Sequence, residues 1–488
     1  MAFWNRMKPI ESATDLDEAH RLKKTLGWPH LIALGVGAIV GTGIYTLTGI
    51  AAALAGPGMI FSFAICGVLV LTASLCYAEM ATLVPASGSA YTYSYTALGE
   101  LLAWIVGWAL VLEYAVGAAA VAVGWSGHAV EFLNAVGVHL PGNLTQGVFS
   151  AAPIMDLVSG HAHPDPSKAL LDLPAMFIVL VVTALLAVGT RESATVNIVL
   201  VLIKLAALLM FVIIAAPHFH PANLTPLAPQ GWGAIPHADG RNYGVLGAAG
   251  LVFFAFYGFD AVSTAAEETR RPERDLTIGL IGSMFVCTLI YVGVALTALG
   301  AMYYTGWSDD RTPLVTVLRF LQAPQAANWL TGAVIVAVPT VILVLLYGQS
   351  RIFFVMSRDG LLPRGFSKVN PKTRTPVTLT LITGALVAVI AGVVPLADIG
   401  LLANAGTLAA FIAVALSVIV LRLREPSRPR IFKTPLWWIT APICVLGCAY
   451  LFAAGLTHLT QTLFLIWGVI GLVVYFLFGV WRSNLARR

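Results

Sequence analysis

Residues 35–45 read Gly35-Val36-Gly37-Ala38-Ile39-Val40-Gly41-Thr42-Gly43-Ile44-Tyr45, inside a long apolar run. Each of these glycines costs a helix about 1 kcal/mol relative to alanine, so the run carries its own interruption. A second apolar run is interrupted at Phe253-Phe254-Ala255-Phe256-Tyr257-Gly258-Phe259-Asp260. Hydrocarbon offers no water to free N–H and C=O groups. Broken backbone at that depth is tolerated only where it is buried in protein or lines a polar cavity. Paired breaks in corresponding halves of a chain point to the substrate site of a transporter.

The composition around these segments supports a membrane setting. The 488 residues are 58% hydrophobic and 10% charged, with a mean hydropathy of +0.86. Soluble domains carry roughly 25% charged residues, so the chain reads as an all-α integral membrane protein. The net charge of +5 is scattered over short loops, and no nucleic-acid partner is expected. All five cysteines fall in apolar runs. Cys444 and Cys448 are one helical turn apart with no histidine or carboxylate beside them, so they read as packing residues. No metal and no cofactor is expected. The polar leader, residues 1–29, lacks the features of a cleavable signal peptide and reads as a cytoplasmic N-terminal segment.

Runs of about 20 apolar residues span a bilayer. Twelve are expected, near 30–55, 58–84, 97–124, 174–190, 193–216, 243–267, 276–300, 328–352, 376–395, 400–422, 434–456 and 459–481. With both termini in the cytoplasm, 23 basic residues fall in inner segments and four in outer loops, while Lys204 lies within a span. That asymmetry sets the orientation and predicts a multi-pass protein of the cell membrane, bathed in lipid. The first span then runs outward and the sixth inward, so the two breaks are inverted relative to each other. Residues 30–216 (spans one to five) would pair with 243–424 (spans six to ten). Two further spans follow at 434–481, then a cytoplasmic tail at 482–488.

The two breaks differ in chemistry. If Gly41-Thr42-Gly43 is unwound, the amides that open the outer half-helix point at an anion, aided by the helix dipole. The competing reading is a close-packing face built on Gly37 and Gly41. At the second break, aromatic side chains form apolar walls and Gly258 permits a turn. Carbonyls near Phe254, Ala255 and Tyr257 would accept from an ammonium group. Amides for a carboxylate and carbonyls for an amine suit an α-amino acid.

Three ionisable groups lie within the spans. Lys204 sits near the middle of span five, where a lysine costs roughly 2.5–3.5 kcal/mol to insert. An amine held away from water can exist charged or neutral, so Lys204 is the expected proton-coupling group; the alternative is a structural charge. Glu113, near the middle of span three, must face the protein interior as a relay, a counter-ion or a reader of a cationic side chain. Asp260 is a possible gate or relay beside the second break. Glu79, near the inner end of span two, reads as structural or gating. His30, His128 and His458 lie near span ends and are expected at the interfaces.

Several stretches resemble one transporter family. Gly35-Val-Gly-Ala-Ile-Val-Gly-Thr-Gly-Ile-Tyr-Thr-Leu-Thr-Gly49 is similar to the first-span signature of the amino acid–polyamine–organocation (APC) superfamily. Tyr77-Ala-Glu-Met80 and Val84-Pro-Ala-Ser-Gly-Ser-Ala-Tyr-Thr-Tyr93 resemble its second-span and first-loop motif. Phe253 through Glu268, followed by Arg271-Pro-Glu-Arg-Asp275, resembles the sixth-span motif of the cationic amino acid transporter family. Tyr347-Gly-Gln-Ser-Arg351 through Pro363 adds a fourth match. The resemblance implies a five-plus-five inverted repeat with 12 transmembrane helices, of which helices 1 and 6 are unwound at mid-membrane. It implies alternating access, with Gly41, Thr42 and Gly43 on the substrate carboxylate and the carbonyls of Ile39, Phe254, Ala255 and Tyr257 on its amine. It also implies that Lys204 stands where other members hold sodium, so sodium dependence is not expected.

The expected function is secondary active, proton-coupled uptake of L-amino acids, with L-amino acid and proton as partners. Apolar residues such as Val338 and Pro339 in span eight suggest neutral or broad specificity. A proton-independent amino acid/polyamine exchanger is the main rival. A channel would rely on oligomeric rings of carbonyls rather than internal pseudo-symmetry. An enzyme is not expected, because no nucleophile–base pair or metal cluster falls in a span.

Overall fold

The computed structural model describes residues 6–10, 26–86, 88–150, 165, 167–188, 194–237, 239–266, 269–367 and 377–486. The helices in chain order are α1 (Trp28–Ile39), α2 (Thr42–Tyr45), α3 (Leu47–Ala55), α4 (Met59–Leu83), α5 (Ser89–Ala97) and α6 (Glu100–Ala135). They continue with α7 (Leu173–Val188), α8 (Ala194–Ala215), α9 (Val245–Val252), α10 (Ala261–Thr264), α11 (Pro272–Ala301) and α12 (Pro313–Phe320). The last are α13 (Pro324–Ala337), α14 (Pro339–Arg358), α15 (Val377–Val393), α16 (Leu396–Arg424), α17 (Trp437–Tyr450) and α18 (His458–Val474). One short hairpin pairs Ile235–Pro236 with Asn242–Tyr243.

Among the described residues, nine helical stretches are long and apolar enough to cross a membrane. Three shorter apolar helices, Trp28–Ile39, Leu173–Val188 and Val377–Val393, lie among them. The outward faces of the bundle are apolar, with Trp329, Leu477 and Val188 among the most exposed side chains. Such a surface is stable against lipid and not against water.

Packing divides the helices into two groups. α11 packs most extensively on α1 and α4, and α9 joins them. α6 packs on α14 and α16, while α7 packs on α15 and both touch α6. α6 and the 245–263 stretch are the most enclosed spans, and the 458–482 stretch is the most exposed. Glycine explains the close approaches. A Cβ on Gly67 of α4 would stand 2.4 Å from Thr288 of α11, and one on Gly384 of α15 would stand 2.1 Å from Thr183 of α7.

Both described ends of the chain meet on one face of the bundle. Arg6 pairs with the buried Glu100 at 3.1 Å and donates to the Val480 carbonyl at 2.9 Å. Glu100 also accepts from Tyr95 and Tyr475, each at 2.9 Å, and from the Ser483 hydroxyl. Lys8 pairs with Asp359 at 2.8 Å. On this face too, Arg422 forks onto Glu79 with two 2.8 Å bonds, Arg430 approaches the same carboxylate at 3.1 Å, and the Thr434 amide donates to it at 2.8 Å. Glu79 is therefore held in a structural ion cluster that joins α4 to the segment after α16. On the α6 side of the bundle, Trp108 and Trp467 stack at 4.6 Å, and each indole N–H donates to the other's carbonyl at 2.9 Å.

Candidate functional site

The first break falls between α1 and α2. Helical geometry stops at Ile39. Val40 has φ −75° and ψ 90°, Gly41 has φ −135° and ψ −148°, and the helix resumes at Thr42. The glycines here are set by contact. A Cβ on Gly43 would stand 2.4 Å from the Cα of Ala255, and one on Gly41 would touch Val341 of α14 at 3.4 Å. The two breaks thus meet backbone to backbone at Gly43 and Ala255. Thr42 is fully buried against Gly124 of α6, and its hydroxyl has no hydrogen-bond partner among the described residues.

The second break begins where α9 tightens into a 3₁₀ turn at Phe253–Phe256. Tyr257 is extended, and Gly258 takes φ 93°, a left-handed conformation that favours glycine. The Phe254 carbonyl accepts from the Tyr257 amide at 3.1 Å. The Ile39 carbonyl accepts from the Tyr291 hydroxyl at 2.8 Å. Each carbonyl oxygen has two lone pairs, so both keep capacity for a second donor. The Phe254 and Tyr257 rings stack at 5.4 Å. Tyr257 lies over Gly117 of α6, where a Cβ would come within 2.8 Å of the ring, and its hydroxyl is unpartnered among the described residues.

Lys204 of α8 reaches the back of the first break. Its ammonium donates to the Gly37 carbonyl at 2.8 Å and to the Thr340 hydroxyl at 3.0 Å, while the Tyr45 hydroxyl donates to the Lys204 carbonyl at 2.9 Å. The side chain is buried. Thr340 stands just after the Val338–Pro339 junction that separates α13 from α14. Val338 itself is fully buried, and Val341 is the residue of this helix that faces Gly41.

Beside the second break lies an acidic pair. Asp260 accepts from the Tyr114 hydroxyl at 2.6 Å. Glu113, the neighbour of Tyr114, lies within electrostatic reach of Asp260, and one of its carboxylate oxygens is unpartnered among the described residues. Glu267 and Glu268 of the same motif fall outside the described residues. His128, expected at an interface, is instead fully buried. The 36-residue helix α6 runs on well past the apolar stretch read from the sequence, and its histidine is covered by the loop that precedes α12.

The structure thus brings Gly41, Thr42 and Gly43 against Ala255, with Ile39, Phe254 and Tyr257 around them and Lys204 behind. Sequence reasoning missed Tyr45, Thr340, Tyr291 and Tyr114, which hold that arrangement through single hydroxyls. Tyr45 lay inside the quoted first-span motif, and Thr340 lay beside the noted Val338-Pro339. Tyr291 and Tyr114 gave no sequence signal.

A protein-family model described as "Amino acid permease" matches residues 26–478. The chain belongs to the amino acid permease family. The permease is 43% identical over 468 residues to the branched-chain amino acid permease BcaP of Bacillus subtilis, covering 95% of each chain. It is 39% identical over 475 residues to the methylthioribose transporter of the same organism, covering 97% of each. It is 37% identical over 424 residues to the vacuolar cationic amino acid transporter 2 of Arabidopsis thaliana, covering 86% of the permease and 63% of that relative. These matches identify a multi-pass membrane permease of the APC superfamily, a transporter and not an enzyme.

Proposed function

We propose that the permease carries L-amino acids by alternating access, coupled to proton movement, through a twelve-span, five-plus-five inverted repeat with both termini in the cytoplasm. In this reading Val40–Gly41 and Phe253–Asp260 are mid-membrane breaks of spans one and six. The amides of Gly41, Thr42 and Gly43 hold the substrate carboxylate, and the carbonyls of Ile39, Phe254, Ala255 and Tyr257 hold its amine. One observation carries the proton coupling: the Lys204 ammonium bonds both Gly37, beside the first break, and Thr340 of α14. A charge-assisted bond is roughly twice as strong as a neutral one. Loss of the proton from Lys204 therefore loosens the first span from its support, which links proton occupancy to the shape of the site.

The side-chain preference follows from the walls. Phe254, Tyr257 and Val341 are apolar surfaces, and the BcaP relative is named for branched-chain substrates. We therefore favour neutral, branched amino acids. A relative of similar extent is named for methylthioribose, which has neither carboxylate nor ammonium. Identity alone does not choose the ligand, and the opposed chemistry of the two breaks favours a zwitterion. A cationic amino acid is the second reading, favoured by the Glu113 oxygen that has no partner among the described residues.

The test is uptake into proteoliposomes of labelled leucine, isoleucine, lysine, arginine and methylthioribose, with and without an inside-alkaline gradient. Gradient-driven accumulation of leucine and isoleucine supports the main reading. Lysine and arginine alone would favour the second. Methylthioribose alone, or accumulation indifferent to the gradient, overturns the proposal.

A further inference from the structure

Two side chains far apart in the sequence make the same kind of bond to the two breaks. The last four carbonyls of an α-helix have no regular partner within it. α1 ends at Ile39, and the carbonyl two residues earlier, on Gly37, accepts from the Lys204 ammonium of α8. α9 ends at Val252, and the carbonyl two residues earlier, on Gly250, accepts from the Asn404 side-chain amide of α16 at 2.7 Å. The same amide reaches the Leu251 carbonyl at 3.3 Å. Two carbonyls facing one end of the carboxamide fix that end as the NH2 group.

Asn404 is fully buried, and its oxygen has no partner among the described residues. Burying an amide costs free energy that its hydrogen bonds must offset, and here those bonds go to α9. Packing gives no reason for a polar side chain at this position, because its neighbours on α16 already fill the contact. Gly400 lies beside Leu251 and Phe254, where a Cβ would make ordinary contacts at 3.8 and 3.9 Å. Further along the helix, the Phe411 ring packs edge-on against Phe253 at 5.7 Å and Phe259 at 5.1 Å. α16 thus follows the second break along its length, and Asn404 is the point at which it bonds the backbone.

We propose that Asn404 is a positioning residue for the second break. It holds the carbonyls of Gly250 and Leu251 so that the turn that follows presents those of Phe254, Ala255 and Tyr257 to the substrate amine. In the five-plus-five reading, α8 and α16 are spans five and ten, while α1 and α9 belong to spans one and six. Lys204 and Asn404 then occupy corresponding places in the two repeats. Their chemistry differs. An ammonium can lose its proton and weaken its hold, whereas a carboxamide has no such proton to lose. One half of the site is therefore held by a releasable donor and the other by a permanent one. The role toward the amine rests on the permease reading; the two hydrogen bonds of Asn404 do not.

Hydrogen–deuterium exchange on the full-length protein in lipid nanodiscs reads this clamp without any substrate. Fragments covering 245–258 and 30–45 are followed in the native protein and in Asn404→Leu, which is close in volume and lacks the donor. Asn404→Ser, whose hydroxyl stands a bond short of the carbonyls, takes its place if Asn404→Leu does not fold. The expected result is exchange at least about tenfold faster in 245–258, the scale of one or two neutral hydrogen bonds, with 30–45 unchanged. Unchanged exchange in 245–258 overturns the proposal. Equal acceleration in both fragments also overturns it, because that marks a general loosening. Unprotected exchange at 253–257 in the native protein overturns it whether or not a variant folds. Leucine uptake is measured in parallel, and the variant is expected to raise half-saturation at least about tenfold with little change in maximal rate. A loosened break with unchanged half-saturation overturns the positioning role. If the native protein moves no leucine, the substrate assignment fails, and the exchange result still decides the clamp.

Discussion

The Lys204 ammonium donates to the Gly37 carbonyl at 2.8 Å, just before helix α1 gives way at Val40. A titratable group on α8 is thereby attached to the backbone beside one half of the candidate site. Lys204→Met removes the donor and keeps most of the volume. The expected outcome in proteoliposomes is loss of gradient-driven accumulation, at least about tenfold, with substrate counterflow retained. Accumulation against a concentration gradient by the variant would show that Lys204 is not the coupling group.

Gly43 allows the two breaks to touch, and its missing Cβ would stand 2.4 Å from the Cα of Ala255. Backbone cannot step aside as a flexible side chain can. Gly43→Ala is expected to cost about 1–3 kcal/mol in overpacking and to weaken leucine binding by at least about tenfold, or about 1.4 kcal/mol. Scintillation proximity binding on the purified variant checks this. Unchanged affinity would place the carboxylate site elsewhere.

Gly117 offers a different lever, because the atom it faces is the outer end of the Tyr257 ring. That ring can swing. Gly117→Ala is expected to push it toward the substrate side chain and to shift preference to smaller amino acids. In competition assays, alanine should gain on isoleucine by about tenfold, the scale of one or two methylenes in an apolar pocket. An equal loss for both substrates would mean that Tyr257 does not line the side-chain pocket.

Glu79 is expected to govern stability and to leave selectivity unchanged. Glu79→Gln takes away the carboxylate that the partly exposed Arg422 and the buried Arg430 both approach. Breaking a buried pair in this way costs about 3–5 kcal/mol. The apparent Tm in detergent should fall by at least about 5 °C, while the relative uptake of leucine and isoleucine stays the same. A variant with unchanged Tm would remove the structural role given to this cluster.

The membrane class and the location of both breaks were legible because they depend on composition and on glycine. Gly41, Gly43 and Gly258 are where backbone must depart from a helix or pass another chain segment, and no other residue type marks such places so plainly. The partners that support the breaks were not legible. Tyr291 bonds Ile39, and Tyr114 bonds Asp260, across separations of 252 and 146 residues. A buried tyrosine in an apolar run looks like packing until its hydroxyl is located in space. His128 was misread for a related reason. Nearness to the end of an apolar run says nothing about a loop that folds back over it, and Arg311 lies far along the chain from the histidine it covers.

The reciprocal indole pair of Trp108 and Trp467 has a practical consequence. Two stacked rings, each donating to the other's backbone, fasten α18 to α6 at a point where neither can slide without losing both bonds. Tyr475 and Ser483 fasten the same end of the chain to Glu100, at the start of α6. The last helix is therefore a built-in ruler. A probe attached to it keeps constant register with α6, and any distance that changes against that probe during turnover reports motion of the other helices.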